Sequence, residues 1–310
     1  MPARGNAKYD ILVITGPTAS GKTATAAVVA ERLGGEIISA DSRQVYRKMD
    51  LGTGKDYDDY MVGGKRIPFH LIDIARPGSR YNLFEYRKDF LRVYSELKSR
   101  NVFPVLCGGS GMYIDSIVSA YRLAEVAPDP VLRAELEKKP MAELVKILSS
   151  YKRLHNITDI DTRKRVIRAI EIEMQRKTAG DEELSFPRLR HVVAAISVDR
   201  ESRRERISAR LRQRLESGMI DEVRDLLARG VGDEDLIYYG LEYKYITFYL
   251  RGDIDYDTML RDLEVAIHQY AKRQMTWFRG MERKGTVIHW VDGQLPVDER
   301  AGEILRLLKM

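Results

Sequence analysis

The chain has 310 residues with a formal net charge of +6, and 44% of them are hydrophobic and 32% charged. Such a chain buries a real core in one large or two modest domains, and its positive charge favours polyanionic partners such as nucleic acid. Its single cysteine, Cys107, excludes an intramolecular disulfide, and no apolar run approaches the roughly 18 residues of a membrane helix. Residues 1–10 lack the apolar core of a signal peptide, so we expect a cytoplasmic protein without a membrane partner.

The first third of the chain alternates apolar runs with helical patterns. Four short runs that stop near turn residues predict strands, at residues 11–14, 36–40, 70–74 and 102–107. An alanine-rich segment and a charged segment with helical spacing predict helices, at residues 22–33 and 83–99. Strands that alternate with helices predict an α/β fold, in which a parallel sheet has helices on both faces.

The pattern changes after about Tyr121. Residues 129–150 and 159–176 are charged and helical, with no strand between them. This composition indicates a helical insertion domain at residues 121–189.

The sheet resumes after the insertion. Strand character returns at residues 192–198, and the remaining chain predicts four helices and a last strand, at residues 200–218, 219–229, 243–251, 258–282 and 287–291. The predicted catalytic core therefore comprises residues 1–120 and 190–310.

A glycine-rich loop follows the first predicted strand. Residues 16–23 read GPTASGKT and fit the pattern G-x-x-x-x-G-K-[ST], with a predicted helix directly after them. The glycines let backbone N–H groups turn around a phosphate, Lys22 adds a cation, and the Thr23 hydroxyl can hold Mg²⁺. The residues predicted to bind a diphosphate are Gly16, Pro17, Thr18, Ala19, Ser20, Gly21, Lys22 and Thr23. We therefore predict a P-loop NTPase-like parallel sheet, although the loop alone leaves ATP and other diphosphates open.

Polar turns follow three other predicted strands. Asp41 begins the segment DSRQVY, Asp73 comes after His70-Leu71-Ile72 in the third, and Gly108 begins GGSGMY. Open α/β sheets bind ligands at the carboxyl ends of their strands. Three such turns at one edge predict a pocket for something larger than a nucleotide phosphate.

Seven segments together resemble the bacterial tRNA dimethylallyltransferase family, also called tRNA isopentenyltransferases. They occur in the family's order between Ile11 and about Trp290, and they read GPTASGKT, DSRQVYRKMDLGTGK, FHLID, GGSGMY, RKRVIRAIE, ERISARLRQRLESGMIDEV and YAKRQMTWFR. The resemblance implies a Mg²⁺-dependent transfer of a dimethylallyl group from dimethylallyl diphosphate to N6 of the adenine 3′ of the anticodon. Diphosphate is the leaving group, and the base must leave the loop stack to enter the pocket.

The resemblance also implies roles for single residues. Asp41 matches the base that accepts the N6 proton, Thr23 matches the magnesium contact, and Arg210 matches an arginine that grips the diphosphate. The residues predicted to bind tRNA are Asp41, Ser42, Arg43, Gln44, Ser110, Arg133, Lys164, Arg165, Arg168, Lys244, Lys272 and Arg273. Residues 151–177 carry eight basic and four acidic side chains, which suits contact with phosphates. In the arginine cluster at residues 200–214 we expect Arg210 to point inward and most others to face solvent.

Several positions depart from the family pattern. Ser110 stands where threonine is usual and keeps the hydroxyl, whereas Glu242 replaces a glycine in a stretch expected near RNA or the hinge of the insertion. Ile267 and His268 replace a threonine and an arginine. These changes leave the implied chemistry intact and bear on the choice of acceptor.

Three other functions stay open at this stage. The same transfer could use free AMP or ADP, as in cytokinin-forming enzymes, but a small acceptor needs neither the insertion nor its basic helix. A P-loop kinase would transfer a γ-phosphate and needs no prenyl donor. A non-catalytic RNA-binding module is disfavoured by the intact loop and Asp41. The prediction with most support is a monomeric, tRNA-modifying transferase.

Overall fold

The computed structural model of the chain describes residues 8–120, 126, 129–152, 160–179 and 186–309. The chain forms two compact units: a larger unit of Met1–Ala120 with Arg188–Met310, and a smaller unit of Tyr121–Pro187. Residues 153–159, part of the predicted basic stretch, lie outside the described residues.

The predicted helices and strands are present with two exceptions described below, the strand at residues 70–74 and the helix at residues 129–150. The structure also contains elements that the patterns did not predict, such as the helix Val297–Leu307. The larger unit begins with β1 (Ile11–Thr15), α1 (Lys22–Leu33), β2 (Gly35–Ser39), a 3₁₀ turn (Tyr57–Tyr60), β3 (Met61–Val62), β4 (Lys65–Arg66), β5 (Phe69–His70), α2 (Leu83–Ser99), β6 (Phe103–Gly108) and α3 (Gly111–Val118). The described part of the smaller unit contains α4 (Pro130–Glu137), α5 (Met141–Tyr151) and α6 (Arg163–Ala179). The larger unit then continues with β7 (His191–Ser197), α7 (Arg200–Glu216), α8 (Met219–Ala228), α9 (Asp233–Tyr239), α10 (Leu241–Leu250), α11 (Tyr256–Arg283), β8 (Ile288–Asp292) and α12 (Val297–Leu307).

Six parallel strands form the central sheet, in the order β5-β2-β6-β1-β7-β8. β1 is central, so Ile14 pairs with Cys107 of β6 on one side and with Ala194 of β7 on the other. Leu12 and Ile14 pack with α1 and α12, whereas Val13 is buried on the opposite face. This arrangement confirms the predicted α/β fold, and it brings the loops after β1, β2 and β6 to one edge of the sheet.

Local signals set the ends of the first two helices. α1 ends at Gly34, whose φ of 58° lies in the left-handed region that favours glycine. α2 begins with a capping box, in which Asn82 accepts the backbone N–H of Glu85 and the Glu85 side chain accepts that of Asn82. Both helices therefore begin and end at the predicted residues. Among the described residues, no helix is both long enough and apolar enough to cross a membrane.

The third predicted strand is much shorter than expected. The apolar run at residues 70–74 predicts an extended strand, but β5 ends at His70 because Leu71 and Asp73 adopt left-handed φ values of 62° and 57°. The turn brings the Asp73 carboxylate to the buried ammonium of Lys55 and to the hydroxyl of Tyr57. The prediction was wrong because this ion pair is a tertiary contact, and an apolar run carries no sign of it.

The smaller unit has its own apolar core. Leu136 of α4, Leu144 and Leu148 of α5, and Ile170 of α6 are all buried in it. The helical pattern predicted at residues 129–150 is divided in two, because α4 ends at Glu137 and Pro140 precedes α5.

A buried carboxylate ties α4 to α6. The side chain of Glu171 has no solvent exposure and accepts two hydrogen bonds from Arg133, at 3.0 and 2.8 Å. It also accepts the backbone N–H of Asp129 at 2.6 Å and pairs with Arg168. Burial by itself would raise the pKa of Glu171, but the hydrogen bonds from these three residues outweigh it and hold the pKa below its ordinary value.

Glu171→Gln is expected to lower the free energy of unfolding by about 2 kcal/mol near neutral pH, because glutamine cannot satisfy all these donors. A carboxyl whose pKa is lower in the folded chain stabilises the fold above its unfolded pKa, and this contribution is lost as the pH falls through the folded pKa. The difference from wild type therefore shrinks below about pH 4. Urea unfolding at several pH values measures it. Glu143→Gln, on a half-exposed glutamate of α5, is the control. Equal effects of the two changes would contradict a stabilising role of the hydrogen bonds to Glu171.

Candidate active site

A cavity of about 840 Å³ opens at the carboxyl edge of the parallel sheet. Its walls come from residues 18–23, from the segment that follows β2, from the end of β6, and from α7, α9, α10 and α11. All these elements belong to the larger unit. A cavity of this size can hold a small diphosphate and a nucleobase together.

Residues 16–23, which we call the 16–23 loop, connect β1 to the first turn of α1. Ala19 and Gly21 have left-handed φ values of 61° and 76°. The positive φ favours glycine at position 21, and a Cβ atom there would lie 2.9 Å from Nη1 of Arg300, which would have to shift to admit it. The turn places the N-terminus of α1, which begins at Lys22, in the cavity wall, where free amide groups and the helix dipole favour an anion.

Two side chains from distant segments hold this loop, and sequence reasoning did not assign either of them. Gln274 of α11 accepts the backbone N–H of Thr18 at 2.8 Å and donates to the carbonyl of Gly109 at 2.8 Å. Arg300 of α12 donates to the carbonyl of Ser20 at 3.3 Å. Gln274 lies within the segment YAKRQMTWFR, which could have drawn attention to it, whereas the sequence around Arg300 has no distinguishing pattern.

Three basic side chains converge at the loop end of the cavity. Lys22 comes from the loop, and Arg210 and Arg214 come from α7. Arg210 bonds to the Thr18 hydroxyl, and Arg214 pairs with Asp56 at 2.9 Å. Burial lowers the pKa of Arg210 to about 10 and also lowers the pKa of Lys22, and nearby cations add to both shifts. Cations held this close in a partly buried site are stabilised by an anion, so this end suits a diphosphate.

The expected inward direction of Arg210 is confirmed by its place in the cavity wall. Arg214 is also buried, although sequence reasoning did not single it out. It lies four residues after Arg210 on α7, and this helical spacing is the signal that could have identified it.

Asp41 lies two residues beyond β2, in the cavity wall. Its Oδ1 accepts the backbone N–H of Arg43 at 2.9 Å, which orients the carboxylate. Beside it, the Ser110 hydroxyl accepts the backbone N–H of Ser42 at 2.9 Å, and the Gln44 amide donates to a backbone carbonyl at 2.9 Å. The carboxylate is half-buried, so a substrate in the cavity can reach it.

The remaining wall mixes aromatic and apolar side chains with polar ones. Tyr270 and Ile267 of α11 contribute to it, and burial raises the pKa of the Tyr270 hydroxyl. Glu242, the acidic replacement of a glycine, also lies in this wall, where burial raises the pKa of its carboxyl. His268 is outside the lining residues and faces Glu264 at 3.7 Å.

Most predicted site residues meet in this one cavity. Those in its lining are Thr18, Ala19, Ser20, Gly21, Lys22, Thr23, Asp41, Ser42, Arg43, Gln44, Arg210, Lys244 and Arg273. Gly16 and Pro17 are buried at the base of the loop, and Ser110 is joined to the cavity through Ser42. Lys272 is exposed on α11 and does not line the cavity.

The other four predicted residues belong to the smaller unit. Arg133 and Arg168 bind the buried Glu171, so their charges already have a structural partner. Lys164 and Arg165 are exposed on α6, and Arg165 pairs with Asp161. Lys164 and Arg165 are therefore more accessible to an outside ligand than Arg133 and Arg168.

The fold and the cavity define a class of protein, an α/β enzyme of P-loop type with room for a second substrate beside the glycine loop. The IPP transferase family matches residues 44–281 of the chain, and the Isopentenyl transferase family matches residues 9–77. The chain is 57% identical over 301 residues to tRNA dimethylallyltransferase 2 of Bacteroides fragilis, covering 97% of this chain and 98% of that protein. It is 56% identical over 300 residues to tRNA dimethylallyltransferase 1 of Parabacteroides distasonis, with the same coverage.

A solved structure agrees with these relatives. The crystal structure of the full-length tRNA isopentenylpyrophosphate transferase from Bacillus halodurans matches with a TM-score of 0.69 at 31% identity. The match covers 96% of this chain and 95% of that one. The chain belongs to the tRNA dimethylallyltransferase family of prenyltransferases.

Proposed function

We propose that this protein transfers a dimethylallyl group from dimethylallyl diphosphate to N6 of the adenine on the 3′ side of a tRNA anticodon. The observation that carries the proposal is a single cavity lined both by Asp41 and by the cations of the 16–23 loop and α7. A proton acceptor and a diphosphate site that share one cavity support a transfer between two substrates that meet there. The relatives named tRNA dimethylallyltransferase support tRNA as the acceptor.

The diphosphate of the donor binds at the loop end of the cavity. As the allylic C–O bond breaks, negative charge develops on the departing diphosphate. Lys22, Arg210 and the amide groups at the start of α1 are already in place there, so they stabilise this charge without rearrangement. The half-buried position of these groups strengthens the effect, because less water screens them.

The acceptor adenine enters from the Asp41 side. Its N6 lone pair is delocalised into the ring, so N6 becomes a good nucleophile only as it loses a proton. The Asp41 carboxylate accepts that proton while the new C–N bond forms to the allylic carbon. The backbone N–H of Arg43 holds Oδ1, which fixes the direction of the carboxylate. The products are the N6-prenylated adenine, diphosphate and the proton on Asp41.

Mg²⁺ is part of the proposal, and the oxygen donors of the cavity fit it. The Thr23 hydroxyl and the carboxylates of Asp41 and Asp59 line the same cavity, and Thr23 would hold the ion. Within the described residues, no group of three or more His, Cys, Asp or Glu could hold a metal ion by itself. Mg²⁺ at phosphate-transfer sites usually takes one or two ligands from the protein and the rest from substrate phosphates and water. When bound, Mg²⁺ supplies neutralisation of charge on the leaving diphosphate.

The proposed tRNA contacts fall into two groups. Ser42, Arg43 and Gln44 of the cavity would meet the nucleotides around the target adenine, and the smaller unit would bind the phosphate backbone through exposed cations such as Lys164 and Arg165. We further propose that the chain acts as a monomer in the cytoplasm.

Labelled dimethylallyl diphosphate tests the proposed reaction. The full chain is incubated with the donor and Mg²⁺, together with an unmodified tRNA that has adenines beside its anticodon, with free AMP, or with no acceptor. Label in tRNA alone is expected. Label in AMP would assign the protein to the AMP-modifying branch. Consumption of ATP with no label transferred to either acceptor would support the kinase alternative instead.

A further inference from the structure

An exposed tyrosine stands between two arginines at the rim of the active-site cavity. Tyr238, near the end of α9, is 40% exposed and belongs to the cavity lining. The Cζ atom of Arg43 lies 5.2 Å from the centre of its ring, and that of Arg80 lies 5.1 Å from it. Both guanidinium groups are within the range of a cation–π interaction. We call these three residues the rim platform.

Hydrogen bonds fix the backbone on both sides of Arg80. The Tyr239 hydroxyl donates to the carbonyl of Ser79 at 2.7 Å, and the Tyr46 hydroxyl accepts the backbone N–H of Tyr81 at 2.9 Å. The rings of Tyr46 and Tyr239 are themselves in contact, with centres 4.3 Å apart. The backbone that carries Arg80 is therefore held in place before a ligand arrives, which lowers the entropic cost of binding.

The charge on the rim platform is incompletely compensated. The side chain of Arg80 is 62% exposed, and its carboxylate partner Asp235 lies at the long distance of 3.5 Å. Two guanidinium groups on one exposed ring bring like charges together, so an anion at this rim would stabilise the arrangement. A flat ring for a base and a cation for the adjoining phosphate are what proteins use to hold single-stranded nucleic acid.

The rim platform is also directly connected to the reacting group. Arg43 donates its backbone N–H to Asp41, so the platform begins two residues from the proposed base. An adenine that enters the cavity must leave the loop stack and thereby uncovers the face of its neighbour. The uncovered face would then lie at the cavity rim, where Tyr238 is exposed.

We propose that Tyr238 stacks on the nucleobase next to the flipped adenine and that Arg80 binds the phosphate at that nucleotide. The inference rests on the proposed function, since it takes the RNA loop as the acceptor. Tyr238 and Arg80 are then positioning residues, which hold the loop open while Asp41 acts on the extruded base.

Binding of a fluorescein-labelled anticodon stem-loop to the full chain tests this proposal. Tyr238→Ala is expected to weaken binding about 5- to 150-fold, the usual loss when one stacking aromatic is removed, whereas Tyr238→Phe keeps the ring and binds nearly as wild type. Tyr256→Ala is the matched control, because Tyr256 is 41% exposed at the start of α11 and lies outside the cavity lining. Equal affinity of Tyr238→Ala and wild type, or equal weakening by the phenylalanine, would overturn the stacking role.

An abasic nucleotide separates stacking from a merely structural effect. Two RNAs are compared, each lacking one of the bases that flank the target adenine. One of these two removals is expected to weaken binding by wild type. The same removal should have little further effect on Tyr238→Ala, because the stacking partner is already gone. If base removal on each side weakened binding by Tyr238→Ala as much as it weakens binding by wild type, the stacking contact would be overturned. Arg80→Ala should reduce the slope of log Kd against log salt by about 0.7, the value for one phosphate of a single strand.

Prenyl transfer by the same proteins distinguishes the failure of this inference from that of the proposed function. If wild type modifies the stem-loop and Tyr238→Ala does so with the same KM and kcat, only the proposed role of the rim platform is overturned. Wild type that neither binds nor modifies any RNA would overturn both. The expected result is a raised KM for RNA in Tyr238→Ala with kcat for bound RNA less affected.

Discussion

Replacement of Asp41 by asparagine is expected to lower the rate of prenyl transfer by about two to four orders of magnitude, the usual contribution of a positioned general base. Asparagine has nearly the shape of aspartate and keeps an oxygen for the backbone N–H of Arg43, so the local structure is retained. It cannot take up the N6 proton. Single-turnover transfer from labelled donor at saturating RNA measures the chemical step, and fluorescence anisotropy measures RNA affinity, which should stay nearly unchanged.

Asp58→Asn is the matched control for this change. Asp58 is an exposed carboxylate of the 3₁₀ turn and does not line the cavity, so its removal should leave both measurements at wild-type values. Near-normal transfer by Asp41→Asn would remove Asp41 from the role of base. A loss of RNA affinity as large as the loss of rate would make it a binding residue instead.

Replacement of Arg210 by glutamine is expected to lower kcat by about two to three orders of magnitude, as does the loss of one preorganised donor to a developing anion. The Arg210 side chain bonds to Thr18 of the 16–23 loop and lies half-buried beside Arg214, so its charge is held where diphosphate departs. Its pKa of about 10 keeps it charged at neutral pH. The effect should appear in kcat more than in the donor KM, because charge on the leaving group grows in the transition state.

Two further variants define the cause of that loss. Arg212→Gln removes an exposed guanidinium from the same helix and should leave transfer unchanged. Arg210→Lys keeps the positive charge without the planar fork, so it should recover part of the rate. A raised donor KM with an unchanged kcat in Arg210→Gln would show that the side chain binds the ground state and the transition state equally well.

Local patterns were sufficient for most of the core architecture. The buried run of β1, the helix that follows GPTASGKT and the helical spacing of α2 are all signals within a few turns, and the structure places these elements where they were predicted. The place of Asp41 at the carboxyl edge of the sheet also follows from sequence, because parallel strands align their carboxyl ends. The left-handed turn at Leu71 and Asp73 did not follow, since it depends on a salt bridge to Lys55.

The sequence by itself determined the class of fold, the glycine loop and the family, because each depends on residues adjacent in the chain. Only the tertiary structure decided which distant side chains support that loop and line the cavity. Gln274 meets Thr18 across 256 residues, and Arg214 meets Asp56 across 158. Such contacts depend on how α7 and α11 pack against the edge of the sheet. Helical periodicity indicates which face of a helix is apolar, but it does not indicate which polar group a side chain of that helix contacts.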